Sequence, residues 1–211
     1  MKKIFAAALA ALTALGGAQA QFKDGDLGLH IGGGIGVFAL TDDTATTPAG
    51  DELTNDIGPR VALSLYAGKA LHKYLLVEGQ LGFWSAQWDG FEEVPVSFSC
   101  PAADPDECVD PMISTTSVTI NAVLTAPMNS KVRPYAGVGA GFMSTSLNLD
   151  NVDNKIGFGY LMKGGVDFAV SDGLRIGAEG TYLAPPKADF DNFAEMDVAG
   201  FAFMATLTAA I

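Results

Sequence analysis

The chain has 211 residues, with 24 acidic against 12 basic side chains and a formal net charge of −12. Phosphate backbones would repel it, so nucleic acid is excluded as a partner. Past the N-terminus no apolar run approaches the roughly 20 residues that a spanning helix needs, so a membrane could be crossed only with strands.

Residues 1–20 read as a secretory signal. Lys2 and Lys3 precede an apolar run over 4–15, and Gly16-Gly17-Ala18-Gln19-Ala20 supplies a small-x-small cleavage site, with cleavage expected after Ala20. Losing the two lysines takes the charge from −12 to −14. Residues 21–211 then form one domain, of a size that suits a single core or one small barrel. Its two cysteines, Cys100 and Cys108, lie close together in an exported chain and are expected to form a disulfide closing a short loop, with free or intermolecular thiols as the alternative.

Alternation of apolar and polar side chains is the dominant pattern, and no window holds a helical period. The first run, 27–40, sets Leu27, Leu29, Ile31, Ile35 and Val37 against Gly28, His30, Gly32, Gly34 and Gly36. The second, 57–70, opposes Val61, Leu63, Leu65 and Ala67 to Arg60, Ser64 and Tyr66. A tight turn at 71–73 leads to 74–88, where Leu75, Val77, Leu81 and Phe83 oppose Glu78, Gln80 and Trp84. After a long connection, 115–126 opposes Val118, Ile120, Ala122 and Leu124 to Ser117, Thr119 and Asn121. The fifth run, 133–147, has Arg133, Tyr135, Gly137, Gly139 and Gly141 on one face and Pro134, Ala136, Val138, Ala140 and Phe142 on the other. The sixth, 156–170, sets Phe158, Tyr160, Met162, Val166 and Phe168 against glycines, Lys163 and Asp167. Ser171-Asp172-Gly173 makes another tight turn. In 174–183, Leu174, Ile176, Ala178 and Tyr182 face away from Arg175, Glu179 and Thr181. The eighth, 198–211, carries Phe201, Phe203, Leu207 and Ile211 on its apolar face.

Connections between these runs alternate long and short, so all short turns fall at one end and all long loops at the other. The pattern predicts an all-β, eight-stranded antiparallel up-and-down barrel. Of the 24 acids, 18 fall in the four long loops, whereas Lys69, Lys73 and Lys131 sit at the short-turn end.

Soluble lipocalin-type barrels share this topology, but their outer faces carry many charges. Here the polar face holds only Arg60, Glu78, Arg133, Lys163, Asp167, Arg175 and Glu179 among its glycines. Charges so few and so mixed in sign suit a buried network that neutralises itself, because an unpaired buried charge is costly. The apolar face then meets lipid, making a transmembrane barrel. With the long loops outside, Phe83, Phe142, Phe158, Tyr160, Tyr182, Phe201 and Phe203 form an outer aromatic girdle, and Phe168 is the clear member at the other interface.

The run Arg133-Pro134-Tyr135-Ala136-Gly137-Val138-Gly139-Ala140-Gly141 resembles the fifth-strand region of small outer-membrane β-barrel proteins of the OmpA-domain, OmpX and opacity type. Leu174-Arg175-Ile176-Gly177-Ala178-Glu179-Gly180-Thr181-Tyr182 looks like their seventh strand. The resemblance implies the cell outer membrane as location, outer-membrane lipid as partner, and roles such as envelope stability or adhesion.

Eight strands leave an interior that side chains can fill, so the charged lumen is read as a plug, with a narrow passive channel for small solutes as the alternative. An enzyme is not expected. His30 faces the lumen and His72 lies in a short turn, and no matched acid and base is indicated. Asp104, Asp106, Glu107 and Asp110 flank the cysteine loop, but their order matches no calcium-loop spacing, so no metal or other cofactor is assigned. The acidic loops could present a surface to a cell-surface or envelope partner, and the barrel is expected to be monomeric.

Overall fold

The computed structural model describes residues 28–41, 44–46, 52–91, 112–126, 130–147, 154–190 and 194–211. The expected signal segment 1–20, both cysteines and the acids at 104, 106, 107 and 110 lie outside these residues.

Eight long strands build the barrel: β1 (Leu29–Leu40), β3 (Glu52–His72), β4 (Leu75–Phe91), β5 (Met112–Thr125), β6 (Val132–Leu147), β7 (Lys155–Ser171), β8 (Leu174–Ala184) and β11 (Gly200–Ala210). Each pairs antiparallel with its neighbour, and β1 pairs with both β3 and β11, which closes the sheet. Closure removes every edge of the barrel sheet, the condition for placing strands in hydrocarbon, where no water can satisfy a free backbone group.

The register fixes the shape. Partners step from Ala39 through Phe201, Tyr182, Met162, Val138, Ala122, Val77 and Lys69 to Leu29, ten residues from the start on the same strand. A stagger of that size across eight strands tilts them by about 40° to the barrel axis.

Two hairpins are tight. Lys73 and Tyr74 join His72 to Leu75, and Asp172 and Gly173 join Ser171 to Leu174, with Gly173 at φ 89°, a conformation that glycine adopts without steric cost. The first turn thus lies slightly later than the expected 71–73. Strand β3 begins earlier than expected, and its pairing with β4 shifts register between Asp56 and Ile57 and between Pro59 and Ala62. Proline has no N–H for the ladder, so an irregularity at Pro59 is its natural consequence.

Three short strands were not expected from the sequence: β2 (Thr44–Thr46), β9 (Ala188–Phe190) and β10 (Ala194–Met196). They extend the start of β3 into a small sheet ordered β3-β2-β10-β9 at the long-loop end.

Alternation sorts the side chains as the sequence predicts. Leu65, Ile120, Val138, Phe142, Phe158 and Phe203 are exposed on the outside, while Arg133, Lys163, Asp167, Glu78 and Glu179 are buried within. A soluble protein would not show this inversion.

Candidate functional site in the barrel lumen

Toward the short-turn end the lumen holds the ionisable side chains. Lys163 on β7 reaches across to β4, its Nζ 2.6 Å from Glu78 Oε2, and lies 3.7 Å from Glu179 Oε2 on β8. On the other side of Glu78, His30 of β1 places Nε2 3.0 Å from Oε1. Tyr135 of β6 donates its hydroxyl to Glu179 Oε2 at 2.9 Å, and Thr181 donates to Oε1 at 3.0 Å. Arg133 grips Asp167 through Nη2 at 2.5 Å and Nε at 3.2 Å. Arg175 donates to the Ser130 carbonyl at the same end.

The charges cancel locally. Lys163, Arg133 and Arg175 balance Glu78, Glu179 and Asp167. All six are at least nine-tenths buried, and a buried ion is tolerated only with such partners. The Tyr66 ring lies under the Lys163 ammonium at 4.9 Å, and its hydroxyl bonds Thr208 Oγ1 at 2.7 Å. Of the charged residues assigned to the lumen from sequence, Glu78, Arg133, Lys163, Asp167 and Glu179 stand at this level. Arg60 stands elsewhere. It is opposite Phe38 toward the long-loop end, where Nη2 and Nε bond Gln87 Oε1 at 2.8 and 3.1 Å.

Neutral polar groups lie beside and above the ions. Asn121 donates to Gln80 Oε1 at 2.7 Å, and Trp84 Nε1 donates to Ser117 Oγ at 3.0 Å.

Above them lies a layer that sequence reasoning missed. Phe38, Trp84, Met143, Leu161, Leu183 and Met204, with Ala62, Ala86 and Ala202, form one buried apolar cluster inside the barrel. Phe38 and Trp84 approach at 6.1 Å between ring centroids. Parity would have revealed these residues. Leu161 shares its face with Lys163 and Asp167, Met143 with Arg133 and Tyr135, Leu183 with Glu179, and Met204 with Thr206.

Bulky side chains also occupy the space beside inward glycines. A Cβ on Gly32 would sit 2.5 Å from the Tyr66 ring, and one on Gly165 2.6 Å from the Tyr135 hydroxyl. The Asn121 amide fills the position beside Gly139. What remains open among the ions is a cavity of about 10 Å³ bordered by His30, Glu78, Arg133, Lys163, Asp167 and Glu179, among others. That is room for about one water.

Aromatic side chains are spread unevenly over the outer face. Phe142 and Phe158 meet edge to face at 6.2 Å, and Tyr182 and Phe201 lie 5.0 Å apart. With Tyr160 and Phe203 they cover β6, β7, β8 and β11, whereas Phe83 on β4 stands apart, beyond β5. At the short-turn end Tyr74 joins Phe168 as an exposed aromatic.

A closed, staggered barrel with ions inside and aromatics outside is the architecture of an integral outer-membrane protein. The chain matches the family model for the outer membrane protein beta-barrel domain over residues 6–207 and belongs to that family. Among solved structures it is similar to outer membrane protein OprG from Pseudomonas aeruginosa, at 14% identity and a TM-score of 0.64, with 92% of this chain and 98% of that one covered. Neisserial surface protein A is similar at 16% identity and a TM-score of 0.51, covering 87% and 97%. The N-terminal β-barrel domain of Pseudomonas aeruginosa OprF follows at 8% identity and 0.50, covering 87% and 98%. At such identities the likeness concerns the fold. A search of curated proteins finds no match.

Proposed function

We propose that this outer-membrane barrel does not conduct, and that its role is structural or one of surface interaction, carried by what its long loops present outside the cell. The observation that supports this reading is the two-layered filling of the lumen. The apolar cluster around Trp84 and Leu161 lies across the barrel above the ion-paired cluster around Lys163. A hydrated solute would have to displace both, losing close packing in one and breaking buried ion pairs in the other.

The segments 41–56, 89–114, 148–155 and 184–197, read from the sequence as long loops, contain 18 of the 24 acids, so a cationic cell-surface or envelope partner suits them, and the barrel acts as a monomer. A Cys100–Cys108 disulfide would constrain the longest of these loops. Catalysis is not part of the proposal, since His30 is engaged with Glu78 and His72 lies beside Tyr74 at 5.7 Å in a hairpin turn.

Single-channel recording in planar bilayers tests the proposal, with insertion confirmed by a folded band that shifts on boiling. Silence is the expected result. Stable openings of uniform conductance would overturn it and favour a narrow passive channel for small solutes.

A further inference from the structure

One charged side chain on the barrel strands breaks the pattern of the outer face. Among the described side chains at lipid-facing strand positions, Lys69 alone is ionised. Its cross-strand partners are Leu29 and Val77, and its neighbours on the same face of β3 are Ala67 and Leu71. None can neutralise it. Lys69 lies three residues before the end of β3, close to the short-turn interface, where a charge on the lipid face costs far less than at the midplane. Its four-carbon stem can lie along the apolar wall while the ammonium reaches the headgroup layer.

The adjoining hairpin supplies the rest of a site. Lys73 is exposed in the turn, with its Nζ 4.9 Å from the centre of the Tyr74 ring. Tyr74 is 43% exposed in the same turn, its ring 5.7 Å from that of His72. The nearest acid in this hairpin, Glu78, is turned into the lumen and bound to Lys163 and His30. Two lysines and an exposed phenol therefore share one hairpin end at the rim, and the one acid among its described residues, Glu78, is turned inward.

We propose that Lys69, Lys73 and Tyr74 form a binding site for the phosphate of an anionic phospholipid in the inner leaflet of the outer membrane. The site continues the lipid-facing surface of the barrel, and its charge is opposite to that of its ligand. The lysines supply the attraction, and the Tyr74 hydroxyl a hydrogen-bond donor at headgroup depth. It also fixes the height of the barrel, because an anchored rim resists sliding along the bilayer normal. Lys131, on the turn between β5 and β6, is exposed on another part of the rim and serves as the control.

Electron spin resonance of the folded protein in phosphatidylcholine bilayers provides the test, using spin-labelled phosphatidylglycerol and spin-labelled phosphatidylcholine as probes. The fraction of each probe immobilised at the protein gives their relative association. The expected preference for phosphatidylglycerol is several-fold at low salt, since one lysine near an anionic surface contributes about fivefold. It should fall close to one in Lys69→Gln/Lys73→Gln, survive in Lys69→Arg/Lys73→Arg, and change little in Lys131→Gln. No preference in the unaltered protein would overturn the proposal, as would a preference that outlives the double glutamine substitution or follows Lys131 instead. Heat-shifted migration confirms that each variant is folded. If the double variant fails to insert, Lys73→Gln alone, confined to the turn, must still reduce the preference by half or more.

Discussion

The two layers of the lumen fill the same tube by opposite means. Near the long loops, Phe38, Trp84, Met143, Leu161, Leu183 and Met204 exclude water by shape and need no partners beyond close contact. Near the short turns, each group in the set around Lys163 depends on another, so that Glu78 answers to both Lys163 and His30 and Glu179 to both Lys163 and Tyr135. Apolar packing loses stability in proportion to what is removed, whereas a buried ionic cluster fails abruptly when one member is withdrawn. The outer layer should therefore tolerate trimming better than the inner layer tolerates the loss of a single charge.

Lys163→Ala should have the largest effect, because it leaves Glu78 and Glu179 buried without their shared cation. The expected cost is about 3–5 kcal/mol, read from the urea midpoint of the barrel folded in lipid vesicles. A loss below about 1 kcal/mol would show that water already solvates the inner layer and would break the contrast. Next comes Leu161→Ala in the outer layer, expected to cost about 3 kcal/mol by leaving a cavity. Tyr66→Phe deletes only the hydrogen bond to Thr208 and should cost about 1 kcal/mol. Smallest is the coupling between Phe142 and Phe158 on the lipid face. A double-mutant cycle to leucine should give about 0.5–1 kcal/mol, and a value near zero would mean that lipid replaces the ring contact fully. Raising salt should leave the first two differences nearly unchanged, since neither layer is open to the ionic atmosphere.

Strands, topology and the address of each face were legible because alternation has a period of two and the lumen charges mark its phase. Arg133, Lys163, Asp167, Arg175 and Glu179 each carry a charge that cannot face lipid, so the parity of their strands follows at once. The apolar layer was not legible by inspection because it interrupts the very contrast that alternation relies on. Tyr160, Leu161 and Met162 are consecutive apolar residues, and only counting back from Lys163 shows that the middle one points inward. Arg60 illustrates a second limit. Charge alone places it on the inner face, but its level along the barrel depends on the stagger, which brings it beside Gln87 rather than Glu78. The short strands β2, β9 and β10 carry three residues each, too few for any periodic signal to register.

The ion pair between Glu78 and Lys163 joins residues 85 apart in the chain, on strands β4 and β7 that are not neighbours in the sheet. His30 reaches the same carboxylate from β1 across β3, where Gly68 lies between them in the register, so that contact belongs to the first three long strands. Local hairpins can form early, but the contact between Glu78 and Lys163 must wait for the sheet to curl on itself. During assembly the inner cluster therefore acts as a latch. Until the sheet curls far enough to bring β7 across from β4, Glu78 has His30 but lacks Lys163, and the favourable energy of a completed cluster is released only then. A flat, partly assembled sheet would leave Lys163 and Glu78 apart and in need of water, so the cluster favours the curled, closed form.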